Sequence, residues 1–166
     1  YYSLAADNNI PQAQNNLGNI YKEGQYAPHD IDKAIHYYSL AADNNFPQAQ
    51  YNLGVIYSEG QYIKRDIDKA IHYYSLAADQ EYPQAQYDLG NIYYLGQYIK
   101  RDIDKAIHYF SLAADNKFTE AQYDLGNIYY LGQYVPRDID KAIHYLSLAA
   151  DNNFPQAQFN LGVFYR

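Results

Sequence analysis

The chain repeats itself every 36 residues without insertion or deletion. The string Ser-Leu-Ala-Ala-Asp recurs at this interval, beginning at Ser3, Ser39, Ser75, Ser111 and Ser147. A constant period of this length is typical of solenoids, in which each unit buries its apolar face only by stacking on its neighbours. The repeat therefore predicts a solenoid for these 166 residues, rather than one globular core.

The composition limits the classes of partner and chemistry. The net charge of −7 disfavours nucleic acid and anionic membrane surfaces as partners. The absence of cysteine excludes disulfides, thiolate metal sites and a cysteine nucleophile. No apolar run is long enough to cross a membrane, and no targeting signal is recognisable, so the compartment stays unknown. We expect no cofactor, no metal and no membrane insertion.

Each unit reads as two helices, called helix A and helix B, joined by a short loop. In the second unit, Pro47 suits the first turn of helix A, and Gly60 is placed to end it in a left-handed conformation. Asp66 is a good N-cap for helix B. Apolar residues recur at helical spacing in both segments. Gly54 lies inside helix A and recurs in every unit, so we expect a close approach of a neighbouring helix there.

These signals divide residues 1–166 into one repeat array. The predicted full repeats span 10–44, 46–80, 82–116 and 118–152. Residues 1–9 form a partial helix B, and residues 154–166 form a partial helix A. Because the chain begins and ends inside repeat elements, we expect it to be a piece of a longer protein.

The segment Gln50-Tyr51-Asn52-Leu53-Gly54-Val55-Ile56-Tyr57, followed by Ala70-x-x-x-Tyr74, resembles the tetratricopeptide pattern, with Gln50 where Trp is usual. The longer period and the elements Leu-Gly-x-x-Tyr-x-x-Gly, Asp-x-x-Lys-Ala and Tyr-Tyr-x-x-Ala-Ala resemble the Sel-one-like repeat family (SLR). The chain departs from that pattern at Tyr62 and Leu76, where Gly and a polar residue are common. The resemblance implies an all-α, α/α superhelical solenoid that acts as a scaffold or adaptor and docks proteins or peptides, without catalysis.

Differences between the copies concentrate in helix A, whereas helix B is nearly constant. The variable positions lie away from the apolar stripe of helix A, and by resemblance to tetratricopeptide repeats they line the concave groove. Tyrosine offers rigid contact area, and asparagine can bond a peptide backbone as donor and acceptor. The predicted protein-binding or peptide-binding residues on this concave face are Tyr51, Val55, Tyr87, Asn91, Tyr94, Leu95, Tyr123, Asn127, Tyr130 and Leu131.

Other interpretations remain open at this point. The same tyrosines and leucines can instead pack on the next unit or on the loop. The His72 and Ser75 stripe of helix B is read as a solvated face, because catalysis needs a water-excluding pocket with an oriented nucleophile. The loop cations are read as local charge balance, with a helical-repeat RNA reader as the alternative. Leu40, Leu76 and Leu112 cover a neighbouring unit or form a convex binding stripe.

The sequence therefore predicts a non-catalytic scaffold or adaptor whose partner is a protein or peptide. One alternative is a structural array that self-associates head to tail through uncapped ends, because terminal repeats normally need a polar cap. A second alternative is a consensus-like engineered repeat scaffold without a native ligand, suggested by the near-identity of the units.

Overall fold

Helices follow the repeat with almost no variation in length. The computed structural model describes residue 6 and residues 9–164, and within these residues the chain forms nine α-helices and no strand. The A helices are α1 (Pro11–Glu23), α3 (Pro47–Glu59), α5 (Pro83–Leu95), α7 (Thr119–Leu131) and α9 (Pro155–Phe164). The B helices are α2 (Ile31–Asp43), α4 (Ile67–Ala78), α6 (Ile103–Asp115) and α8 (Ile139–Asp151). None of these described helices is long and apolar enough to cross a lipid bilayer.

The helix boundaries arise from the residues that the sequence marks as caps. Asp66 lies at the N-cap of α4, where its side chain accepts a hydrogen bond from the backbone N–H of Lys69 at 3.0 Å. Gly60 ends α3 in the left-handed region with a φ of 64°. Pro47 occupies the first turn of the same helix, where its missing N–H costs nothing. The cap predictions at these positions are confirmed.

The chain divides into two compact units, one ending at Ala85 and one starting at Gln86. In the first unit, α2 packs between α1 and α3, and α4 packs on α3. In the second unit, α6 packs on α7, and α8 packs between α7 and α9. Each unit has a core of small and branched residues at equivalent repeat positions. The first core comprises Ala34, Tyr38, Ala41, Ala42, Ala49, Leu53 and Ile56, and the second comprises Ala106, Phe110, Ala113, Ala114, Ala121, Leu125 and Ile128.

The helix A glycine lets a large helix B side chain lie directly on the backbone. A Cβ atom built on Gly54 would stand 2.5 Å from the ring of Tyr74, far inside contact distance. The same is true of Gly90 against Phe110 and of Gly126 against Leu146. The predicted close approach is thus made by one side chain of the partner helix, and the volume of that side chain matters more than its hydroxyl group.

A buried glutamine joins α2 to α3 in the first unit and α6 to α7 in the second. Gln50 is almost fully buried, and its Nε2 donates to the carbonyl oxygen of Ala42 at 3.3 Å. Its Oε1 accepts from Gln80 Nε2 at 2.7 Å. In the second unit Gln122 bonds the carbonyl oxygen of Ala114 and accepts from Asn152 in the same way. The hydrogen bonds of Gln50 and Gln122 thus satisfy amide groups that are buried between the helices.

Two tyrosines and a lysine form a stack near the connecting loop in each of the four described helix A–helix B hairpins. In the second hairpin, the rings of Tyr57 and Tyr73 are nearly parallel, with centroids 5.8 Å apart. The ammonium group of Lys69 lies 5.0 Å from the ring centroid of Tyr57, within cation–π range. Equivalent stacks join Tyr21 to Tyr37, Tyr93 to Tyr109 and Tyr129 to Tyr145. The stack thus joins helix A to helix B close to the connecting loop.

Candidate functional site

The ten predicted binding residues lie on A helices, and none of them is buried. Tyr51 and Val55 belong to α3 in the first unit, whereas the other eight belong to α5 and α7 in the second unit. Leu95 and Leu131 are 57% and 63% exposed, and the remaining eight are half-buried. Each side chain therefore has room both for packing within the chain and for contact with a partner.

The tyrosine early in helix A links one A helix to the next. The hydroxyl of Tyr87 donates to Asp124 Oδ2 at 2.9 Å, and its ring packs against Phe110 and Phe118. In the first unit Asn15 has the equivalent role, because its Oδ1 accepts from Asn52 Nδ2 at 3.0 Å. The side chain at this position therefore makes extensive contacts within the chain, as the packing interpretation expects.

The tyrosine late in helix A has both packing and surface roles. The ring of Tyr94 meets Tyr134 edge-on at 5.8 Å and also approaches Phe110. Tyr130 packs edge-on against Phe164 at 4.9 Å and carries the guanidinium group of Arg137 over its face. Truncation of either tyrosine would remove internal contacts as well as surface, so the exposed leucines are the cleaner sites for testing a binding role.

Two cavities open on the helix A surface of the second unit, each with a volume of about 180 Å³. We call the first the carboxylate socket, and its defining residues are Asn91, Tyr94, Phe110, Asp124, Asn127 and Leu131. We call the second the amide socket, and its residues are Asn127, Tyr130, Leu146, Asn160, Val163 and Phe164. The two sockets occupy equivalent places one repeat apart, with Asn160 where the first has Asp124.

The sockets coincide with a change in the helix B core residue. In the second repeat, the hydroxyl of Tyr74 shares a hydrogen bond with Ser58 at 3.0 Å. In the third repeat, Phe110 has no hydroxyl to offer, and helix A carries Tyr94 in place of that serine. The tyrosine of this pair thus lies in the core on helix B in the second repeat, and on the surface of helix A in the third. The fourth repeat makes the same exchange, with Leu146 below and Tyr130 above.

Asp124 is the charged group of the carboxylate socket. Burial raises the pKa of its carboxyl group, the hydrogen bond from Tyr87 opposes that rise, and the negative charge of Glu120 adds to it. Burial also raises the pKa of the Tyr87 hydroxyl, and the nearby charge of Asp124 reinforces this rise. Both pKa shifts indicate that nearby positive charges and hydrogen bonds do not fully offset a negative charge on Asp124.

Sequence reasoning missed Asp124, because its repeat position lies beside the selected ones and carries a polar residue throughout. The available signal was a change of charge. Residue 124 and its equivalent Asp88 are carboxylates, whereas the other copies, Asn16, Asn52 and Asn160, are amides.

The remaining polar groups singled out in the sequence form no common centre. His72 and Asp68 are exposed on α4, and no group of three or more His, Cys, Asp or Glu residues in the described part of the chain is arranged to hold a metal ion. Arg65 donates to the carbonyl oxygens of Ser58 and Glu59 at the end of α3. Arg101 bonds the carbonyl oxygen of Leu95 and the hydroxyl of Tyr134. These two arginines thus cap the preceding helix.

The leucine that recurs on helix B is only partly covered. Leu76 is 37% exposed, and Leu40 and Leu112 are half-buried. Both the covering role and the convex stripe therefore remain open for it.

Stacked helical hairpins of constant length define an α/α repeat solenoid. The family model of the Sel1 repeat matches residues 11–46, 47–82, 83–118, 119–154 and 155–166. The chain therefore belongs to the Sel1 repeat family, a generally non-catalytic scaffold fold that is commonly used in protein interactions.

Solved structures agree with this assignment. A Sel1 repeat protein from Oxalobacter formigenes is 35% identical, with a TM-score of 0.88, and the match covers 99% of this chain and 67% of that one. A protective antigen of uropathogenic Escherichia coli with an SLR fold is 30% identical with a TM-score of 0.92, covering 99% of this chain but 35% of that one. Helicobacter pylori cysteine rich protein B is 25% identical, with a TM-score of 0.60, over 81% of this chain and 96% of that one. This chain thus spans about a third of the E. coli antigen. The comparison with curated proteins gives no significant match.

Proposed function

We propose that the chain is a docking scaffold that binds an extended peptide segment of a partner protein on the helix A surface, as the concave face of the solenoid. The observation that carries the proposal is the carboxylate socket in the second unit, which is lined by the exposed side chains of Leu95 and Leu131, with a second socket one repeat further on. Exposed apolar groups next to concave, aromatic-walled cavities are typical of interaction sites. Tyr51 and Val55 extend the proposal to the corresponding surface of the first unit.

The chain itself supplies evidence that the socket leucines are not required for folding. The first two repeats carry Glu23 and Glu59 at the positions of Leu95 and Leu131. The last turn of helix A therefore tolerates a polar residue at this place. Their replacement by leucine in the third and fourth repeats adds apolar surface at the carboxylate socket, which a purely structural role does not need.

The test is selection from a phage-displayed library of random dodecapeptides on the immobilised chain. Selected peptides should bind the Leu95→Gln, Leu131→Gln double variant at least about tenfold more weakly, because the carboxylate socket loses its exposed apolar wall. The matched control is Leu76→Gln, which removes the same kind of side chain from helix B. Circular dichroism should show unchanged helicity in all variants.

Two results would overturn the proposal. One is a library that yields no peptide with saturable binding. The other is a set of peptides whose affinity falls with Leu76→Gln and not with the double variant, which would assign binding to the convex leucine stripe.

End-to-end assembly is a second candidate, favoured by the surface of α9. Phe159 and Val163 are 73% and 56% exposed on this helix, although their equivalents on α7 are half-buried. A head-to-tail contact between copies would bury this surface. Sedimentation velocity over a wide concentration range tests the idea, and a monomer at the highest concentration would contradict it.

A further inference from the structure

We propose that the carboxylate socket takes the side chain of an arginine in the bound segment, with Asp124 as its counter-charge. The inference rests on the proposed function, and it adds the chemistry of one ligand residue. The socket volume of about 180 Å³ is below the roughly 300–1,000 Å³ of pockets that hold a whole small molecule. A single long side chain is the appropriate size of occupant.

The charge of the socket favours a cation. In the described part of the chain, the hydroxyl of Tyr87 is the hydrogen-bond donor found for the Asp124 side chain, and it uses only Oδ2. The ion pairs found among the described residues join lysines to the N-cap aspartates, and none of them involves Asp124. Glu120, one turn earlier on α7, adds a second negative charge. A half-buried carboxylate without a cationic partner is the complement of a positively charged ligand group.

The walls of the socket favour a guanidinium group over an ammonium group. Tyr94 offers aromatic surface above the buried ring of Phe110, and a planar and weakly hydrated guanidinium can stack on it. Asn91 and Asn127 flank the cavity, and their amide oxygens are acceptors for the further N–H groups of the fork. A lysine ammonium is more strongly hydrated and uses a planar apolar wall less well.

The amide socket is the internal control that the repeat provides. It has the same volume, an equivalent tyrosine in Tyr130 and the same asparagine, Asn127, at its edge. Asn160 replaces the carboxylate, and Leu146 replaces the aromatic floor. This socket therefore has no charge to offer, and we expect it to accept an uncharged side chain.

The experiment follows the side-chain amide signals of Asn91 and Asn127 by NMR during titration with three probes. These are the N-acetyl methylamides of arginine, lysine and norleucine. On the wild-type chain, the arginine compound should bind at least about fivefold more tightly than norleucine, and more tightly than lysine. Asp124→Asn should remove this preference, and Asn160→Asp should create an arginine preference at the Val163 methyl signals of the second socket. Asparagine already stands at this position in three repeats, so both variants should fold.

The inference is overturned if arginine and norleucine compounds bind the wild-type chain equally, or if Asp124→Asn keeps the preference. Equal binding of lysine and arginine would contradict the choice of guanidinium. These outcomes are separable from the proposed function. Library peptides that depend on Leu95 and Leu131 but bind Asp124→Asn unchanged would support docking and refute this inference. If the socket prefers the arginine compound but the library yields no peptide, the arginine chemistry of the socket would be supported and peptide docking refuted.

Discussion

Asp124 combines a structural contact with an electrostatic cost. Its carboxylate receives the hydroxyl of Tyr87, which joins α5 to α7, yet burial and the charge of Glu120 both disfavour its ionised form. The equivalent Asn160 donates its Nδ2 to Asn127 at 3.2 Å, so an amide can also bridge successive A helices. A bridge between successive A helices therefore does not require a charged residue at this repeat position.

The stability of an Asp124→Asn variant should depend on pH in a defined direction. Because the folded-state pKa of Asp124 is raised above its ordinary value of 3.8, folding favours the protonated form. The free energy of unfolding of the wild-type chain therefore falls as pH rises from 3.8 through the raised pKa of Asp124, whereas the variant lacks this pH dependence. The titratable groups facing Asp124 are Tyr87 and Tyr94 on α5 and Glu120 on α7.

We therefore expect the variant to be more stable than wild type at neutral pH, with the difference vanishing as pH falls below 3.8. Urea denaturation of both chains across this range measures it. Glu120→Gln, which alters an exposed carboxylate on the same helix, is the control and should give a smaller difference. A variant that is less stable at neutral pH would show that the carboxylate is required by the fold.

At the residue scale, differences between the repeats pointed to exposed positions, while the binding role of these positions stays a prediction. Leu95 and Leu131 were selected because they differ between repeats, and they are the most exposed of the ten predicted residues. The contact of Tyr94 with Tyr134 was not predictable in this way. It joins residues of successive repeats through a loop whose path depends on tertiary packing, and periodicity carries no information about that path.

At the scale of the helix, packing depends on one glycine per A helix. Gly54→Ala should destabilise the chain, because the added methyl group would stand 2.5 Å from the buried ring of Tyr74. Overpacking of this kind costs about 1–3 kcal/mol, against a gain of about 1 kcal/mol in helix propensity. We expect a net loss of unfolding free energy, measured by urea denaturation.

The chain offers a matched control for this substitution in α9. Nothing lies within 4 Å of a Cβ built on Gly162, so Gly162→Ala should leave stability unchanged or raise it by up to about 1 kcal/mol. Equal effects of the two substitutions would show that the glycine acts through backbone entropy and not through contact with helix B.

Helix boundaries were predictable because each rests on a local rule. Proline, the left-handed glycine and the N-cap aspartate act within one turn of the chain. The role of Gln50 was not predictable, because it bonds Ala42 in the preceding helix and Gln80 in the turn that follows α4. The left-handed conformation of Glu81 was also not predicted, because glutamate rarely adopts it. At the equivalent positions Asn45 and Asn153, the residue type favours this conformation.

At the scale of the molecule, stability should vary along a chain made of these 166 residues. Repeat proteins gain stability from interfaces between neighbouring units, and an element with one interface is held less firmly than one with two. Within the second unit, α7 packs against both α6 and α8, whereas α9 packs on α8. The large exposed fractions of Phe159 and Val163 agree with this difference.

Native-state hydrogen exchange should therefore find lower opening free energies for the amides of α9 than for those of α7. The two helices have similar sequences, so intrinsic exchange rates differ little between them. Equal protection in a dilute sample would contradict the expectation. Protection of α9 that rises with protein concentration would instead point to contact between copies.

The parallel ring pairs at the hairpin ends have a spectroscopic consequence. The chain has 23 tyrosines and no tryptophan, so its near-ultraviolet optical activity comes almost entirely from phenols. Rings held face to face within 6.0 Å, as in Tyr129 and Tyr145, couple their electronic transitions only while both helices are in place. Each hairpin thus carries its own chromophore pair. Circular dichroism in the tyrosine band can report whether hairpins melt together or one after another, without any added label.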